Sequence, residues 1–387
     1  MPLSFTVNNR FRLFFGLQFA GIAIFYPYIA LYLISLGLSS SQIGLLLALV
    51  PLLGFVVQPL WGIATDIHHQ HRLILVLACL SVGIVLIIYA FAQTFWLLLL
   101  LTVLIAVMRA PIQILVTALA LEHLARQQTN VGFGSLRLWG SVGFVVASLG
   151  FGAVFIDAEN TWWIIPFYAL CKFLLAIVAY TLPNADVHGQ VSWREGVQLL
   201  QRNRTLAWFL FGLLLIGMTL GVVNNYLAVY LVDIEGASWM IGTALALSAV
   251  FEIPLLARTQ SFINRWGIRL MLLVGTAVLP LRWLLFAFID EPLWVLPIQL
   301  SHSIAMMSLL VVAVLYVDRL LEPKWRTSGQ ALYTAFLHSV GPGIGLFFAG
   351  YIYGWNGIQF VWLFSAAVAL LGLGVLVYAM YWRPKRD

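Results

Sequence analysis

Residues 28–48 read YIALYLISLGLSSSQIGLLLA, and residues 226–246 read YLAVYLVDIEGASWMIGTALA. At a constant offset of 198 they share nine of 21 positions without a gap, Tyr28, Tyr32, Ser40, Gly44 and Ala48 among them. Chance similarity between two apolar helices is the competing reading. The match, however, includes a polar turn and the Ile-Gly that follows it, which apolarity alone does not produce. Two such parallel copies imply halves related by an axis along the membrane normal.

Outward from these stretches the chain is apolar throughout. Hydrophobic residues make up 63% of it and charged residues 9%, against about 45–50% and about 25% in soluble proteins. That surface needs lipid to face. Spans of roughly 20 apolar residues are predicted at 11–36, 41–65, 73–93, 96–121, 133–156, 162–182, 207–232, 238–259, 269–289, 293–316, 327–353 and 357–382. The expected architecture is an all-α membrane protein of twelve transmembrane helices in two pseudo-symmetric six-helix bundles. The N-terminal bundle covers 1–183, a cytoplasmic central loop 184–206, and the C-terminal bundle 207–387. The first apolar run is too long for a cleavable signal and lacks a small-residue cleavage site, so it should remain as a helix.

The basic residues are segregated. Sixteen of the twenty Lys and Arg fall at or near the two ends or the polar segments after every second span, such as Arg72, Arg126, Arg194, Arg265 and Arg319. The alternate connectors carry only acids: Asp157, Glu159, Asp233, Glu235, Asp290 and Glu291. The positive-inside rule then places both termini in the cytoplasm; the expected location is a bacterial inner membrane. The net charge of +6 serves orientation, and nucleic acid is not an expected partner. Cys79 and Cys171 both lie in apolar stretches and imply neither a disulfide framework nor a zinc site.

Four cations remain inside spans, Arg109, Arg137, Lys172 and Arg282, against one acid, Glu252. Ionisable groups in a bilayer are costly and are functional candidates by default. Glu252, in FEIPLLA, is the candidate proton carrier, with a structural ion pair to Arg282 as the alternative. Arg282, in LPLRW, and His302, in QLSHS, complete the proton-coupling set. Arg137, in FGSLRLWGSVGF, offers a planar donor fork for a solute, or snorkels to the surface; the glycines around it, Gly134, Gly140 and Gly143, suit close helix contacts. Arg109 precedes Pro111 and either lines a cavity or caps carbonyls freed by the proline kink. Tyr26, Tyr28, Gln113, Asn224 and Asn225 are weaker substrate candidates, as is Gln18. Lys172 has no evident partner. His68, His69 and His71 lack the thiolates or carboxylates of a metal cluster and read as a solvated loop. Neither a cofactor, a metal nor a catalytic group is expected: there is no phosphate-binding loop, nucleophile elbow or zinc-protease motif.

With these residues in view the chain resembles the major facilitator superfamily over essentially its full length. Within it the chain is similar to the group holding lactose permease, the nucleoside–proton symporters and the phenylpropionate transporters. FYPYIALYL and QPLWGIATD look like the first two helices of that group. Asp66 matches the acid of the superfamily's loop motif and is the expected gating residue, although His-rich sequence replaces the basic and glycine positions after it. RLWGSVGF resembles the fifth helix of the phenylpropionate members, and Arg137 matches the permease's sugar-binding arginine. Arg282 and His302 match its ninth- and tenth-helix pair. Glu252 in EIP resembles the eighth-helix acid of the nucleoside and phenylpropionate members. Where the permease has further acids this chain has Ala249 and Ala305, and Glu122 is no secure match for a third. These departures point away from galactoside recognition.

The resemblance implies a monomeric proton symporter with a small-molecule substrate, working by alternating access. The excess of cations favours an organic anion such as an aromatic carboxylate. The alternatives are a nucleoside or sugar symporter, a drug or metabolite exporter, whose usual fifth-helix Gly-Pro motif is missing, and a non-transporting membrane receptor.

Overall fold

The computed structural model describes residues 6–68, 70–127, 132–154, 160–184 and 193–382. Among the described residues every regular element is helical. In chain order the apolar segments are α1 (Val7–Ser35), α2 (Ser40–Thr65), α3 (His71–Ala90), α4 (Phe95–Arg126), α5 (Phe133–Gly152), α6 (Ile164–Tyr180), α7 (Arg204–Asp233), α8 (Ser238–Trp266), α9 (Ile268–Phe288), α10 (Pro292–Leu320), α11 (Pro323–Asn356) and α12 (Ile358–Trp382). Eleven are long and apolar enough to cross a membrane. The remaining one, α6, has 17 residues, at the short end of the roughly 17–25 that a span requires. Helices prevail because hydrocarbon offers backbone N–H and C=O groups no other partner.

The chain divides into two compact units, one of residues 1–38 and 53–190, the other of residues 39–52 and 191–387. Within the first, α1 packs against α5 and α6, and α3 against α4 and α6. Within the second, α7 packs against α11 and α12, and α9 against α10 and α12. Adding six to each label converts the first set into the second. The duplication therefore governs helix pairing.

It also reaches single hydrogen bonds. Where α1 ends, the N–H groups of Leu36, Gly37 and Leu38 donate to the carbonyls of Tyr32, Ile34 and Leu33 at 3.2, 2.9 and 3.4 Å. Where α7 ends, Ile234, Glu235 and Gly236 donate to Tyr230, Val232 and Leu231 at 3.1, 3.0 and 2.7 Å. These are the same caps, 198 residues apart. The left-handed residue in each is Gly37 (φ 77°) and Glu235 (φ 59°). Glycine is the usual occupant there because it has no Cβ to clash.

Small residues set the closest crossings, since lipid supplies little hydrophobic drive between helices. A Cβ added to Gly143 on α5 would overlap the Gly16 carbonyl on α1. One added to Gly44 would stand 2.7 Å from the Gly350 Cα, seating the first half of α2 on α11 inside the second unit. Gly134, expected to serve a close contact too, has no neighbour within 4 Å of an added Cβ among the described residues.

Several spans are interrupted where side chains matter. Pro27 breaks α1 between Phe25 and Ile29, leaving Tyr26 and Tyr28 in the turn. In α10 the N–H of Leu300 donates to Pro297 and that of Ser303 to Leu300, both at 3.2 Å, a local tightening between Gln299 and His302. α11 widens into a π-helical turn at Phe336–Val340, where Pro342 cannot donate to the carbonyl four residues earlier, that of His338. Exposed aromatic residues flank both ends of the spans. Phe91, Trp96, Trp162, Trp163, Trp239, Trp294 and Trp355 border the acidic connectors and their counterparts; Tyr180, Trp208, Trp266, Tyr381 and Trp382 border the opposite ends.

Candidate functional site

In the second unit Arg282 is only 1% exposed, in the middle of α9. Its Nη1 bonds His302 Nδ1 on α10 at 2.8 Å, and its Nη2 donates to Gln299 Oε1, one turn before His302. The guanidinium also lies 4.6 Å from the Trp283 ring centroid and 5.3 Å from that of Phe286. Those rings belong to a cluster with Tyr230 and Trp362, closed by the Tyr230 hydroxyl donating to the Phe286 carbonyl at 2.7 Å. A guanidinium can only donate. His302 Nδ1 must therefore accept, which makes the ring neutral with its proton on Nε2. A second proton on this imidazole would have to displace Arg282.

Glu252 is half-buried on α8. One turn earlier, the carbonyl of Ser248 accepts from the Ser303 hydroxyl at 2.9 Å. The structure thus places Glu252 just beyond the contact that fastens α8 to the residue after His302. On α7, Asn225 is buried and its amide donates to the Gly221 carbonyl at 3.0 Å, a helix-internal bond, whereas Asn224 is exposed. His338, not among the candidates named from the chain, projects with an exposed side chain from the π-helical turn of α11. A histidine in the middle of an apolar run was the available signal.

In the first unit the cations gather around aromatic rings. Lys172 on α6 is fully buried; its Nζ donates to Gln18 Oε1 on α1 at 3.0 Å and stands 4.8 Å from the Tyr168 ring centroid. Arg109 is half-buried on α4, with its guanidinium 5.2 Å from the Tyr26 ring centroid. Arg137, half-buried in the second turn of α5, lies 3.7 Å over the Phe19 ring. Gly140 leaves the space that Arg137 and Phe19 fill. Tyr28 is fully buried against Phe151, and its hydroxyl lacks a hydrogen-bond partner among the described residues. Gln113 donates to Thr117 at 3.3 Å along its own helix. The side chains of Asp66 and His68, just after α2, and His69 altogether, lie outside the described residues; His71 is buried at the start of α3. Among the described residues no group of His, Cys, Asp and Glu is arranged to hold a metal.

The comparisons with known proteins bear on the family and the fold. The family model described as "MFS_1 like family" matches residues 9–364. The maltose permease of Geobacillus stearothermophilus is 30% identical over 376 residues, covering 95% of this chain and 93% of that protein. A protein of Escherichia coli strain K12 named a probable 3-phenylpropionic acid transporter is 26% identical over 376 residues, with coverages of 95% and 94%. The crystal structure of the nucleoside transporter NupG matches with a TM-score of 0.86 at 17% identity, covering 98% of this chain and all of that one. At that identity the likeness is one of fold.

Proposed function

Because the chain belongs to the MFS_1 like family and is a multi-pass membrane transporter, we propose that it imports an organic anion, an aromatic carboxylate, together with protons across a bacterial inner membrane. The observation that carries this reading is the company of the cations. Among the described residues, Lys172 is met by an amide, Arg282 by an amide and a neutral imidazole, and Arg109 by an aromatic face. None of these partners carries negative charge, and each cation in a bilayer costs about 2.5–3.5 kcal/mol on insertion scales. An anionic solute offsets that cost while it is bound.

In this mechanism Glu252 takes a proton from the periplasmic side. Protonation of His302 breaks its bond to Arg282 and frees the Nη1 donor of the guanidinium, while Gln299 keeps the other arm. Arg137 and Arg109 receive the solute in the first unit, with Tyr26, Tyr28 and Gln113 around them; Asn224, Asn225 and His338 are the further polar candidates within the second unit. Asp66 acts in gating at the cytoplasmic end. Alternating access then delivers solute and proton inward, and a monomer suffices.

A neutral disaccharide is the second reading, favoured by the 30% identity to a maltose permease. Proteoliposomes with an inward proton gradient separate the two. We expect 3-phenylpropionate to accumulate, a protonophore to abolish that accumulation, and maltose and uridine to stay at equilibrium. Accumulation of maltose or uridine with exclusion of carboxylates would overturn the anion reading.

A further inference from the structure

Resting on the anion reading above, we infer that the first unit contains a carboxylate subsite in which Arg109 is the contact and Lys172 the buried charge behind it.

Arg109 has five N–H donors. Among the described residues it makes no hydrogen bond and no ion pair; its Nε is enclosed without a partner, and the Tyr26 face is its one close neighbour of that kind. It therefore does not cap the carbonyls that Pro111 frees, which was the structural role open to it. Its remaining nitrogens are unspent. A planar fork with free donors matches the two oxygens of a carboxylate.

Lys172 presents the complementary half of the argument. It is 0% exposed, so it does not reach solvent by snorkelling. One amide oxygen, that of Gln18, satisfies one of its three donors. Among the described residues, the charged and titratable groups that act on it are Arg109 on α4, Tyr26 on α1, Cys79 on α3 and, on its own helix, Cys171 and Tyr168. No carboxylate is among them. Two cations that act on each other in a low dielectric, with phenols, thiols and an amide around them, repel. A purely structural role would be filled by an apolar side chain without that repulsion. An anion docked on Arg109 converts the repulsion into attraction for both. Lys172 does not touch the solute; it is a positioning charge that makes the subsite select anions over neutral isosteres.

Binding to the purified full-length protein tests this with two probes of one shape, 3-phenylpropionate and the neutral 3-phenylpropionamide. In the wild type the carboxylate binds more tightly than the amide. Lys172→Met weakens the carboxylate by about tenfold, the scale of one partly screened charge interaction, and leaves the amide unchanged; Lys172→Arg restores the preference. A structural lysine would move both probes together. If Lys172→Met elutes as aggregate, Arg109→Gln takes its place, with the carboxylate preference lost. A preference that survives these substitutions overturns the subsite alone. If the wild type binds neither probe but binds maltose or uridine, the anion reading falls and the subsite with it.

Discussion

Arg282 gathers most of the polar chemistry of the second unit into one side chain. Gln299 holds one arm of its guanidinium, and Gln299→Leu leaves that buried donor without an acceptor, at a cost of about 1–3 kcal/mol. The variant is expected to melt at lower temperature in detergent. Gln299→Glu should do the reverse, since a charged acceptor binds the guanidinium more strongly, and should slow uptake by pinning Arg282. A second expectation concerns Glu252. Glu252→Gln keeps shape and hydrogen bonding but cannot cycle a proton, so proton-driven accumulation should vanish while solute counterflow persists; loss of both would mark a structural residue instead. Arg282 and His302 could each be picked out from the chain as ionisable residues inside consecutive spans, but not their bond to each other: the pairing partner the chain suggests for Arg282 is Glu252. Nor could the roles of Gln299 and Gln18 be read. Glutamines in a span give no sign of their partner, and Gln18 meets Lys172 at a separation of 154 residues, through a helix pairing that follows the fold rather than chain order.

Caps and crossings are the business of the helices. Glu235 occupies a left-handed position that its counterpart Gly37 occupies without strain. Glu235→Gly is expected to stabilise the protein by about 1 kcal/mol, and Gly37→Ala to destabilise it similarly, as read by thermal melting. Gly350→Leu inserts a side chain into the backbone of α2 at Gly44, and overpacking of this kind costs about 1–3 kcal/mol. Gly374→Leu, with open space beside it, is the matched control and should be neutral. The number and order of the helices could be read from hydropathy and charge, and the caps from the repeat. Which glycines make contact could not be: Gly143 and Gly134 look alike in sequence, but only Gly143 faces another backbone. The π-helical turn at Phe336–Val340 was also hidden, because Pro342 announces an irregularity without saying whether the helix kinks, tightens or widens.

Orientation belongs to the molecule as a whole. The basic connectors predict that Glu235 faces the periplasm and Glu322 the cytoplasm. A membrane-impermeant maleimide added to intact cells should label Glu235→Cys and spare Glu322→Cys, and the opposite pattern would invert the topology. The native thiols give little background, since Cys79 is 0% exposed and Cys171 8%. The exposed Trp and Tyr at the span ends act on the same scale. Indole and phenol side chains settle at the headgroup level, so their separation fixes the hydrocarbon thickness that the protein accepts without deforming its surroundings. Acyl-chain length thus becomes a control on turnover: reconstitution in much shorter or longer lipids imposes a mismatch of fractions of a kcal/mol per Å, felt by every span at once.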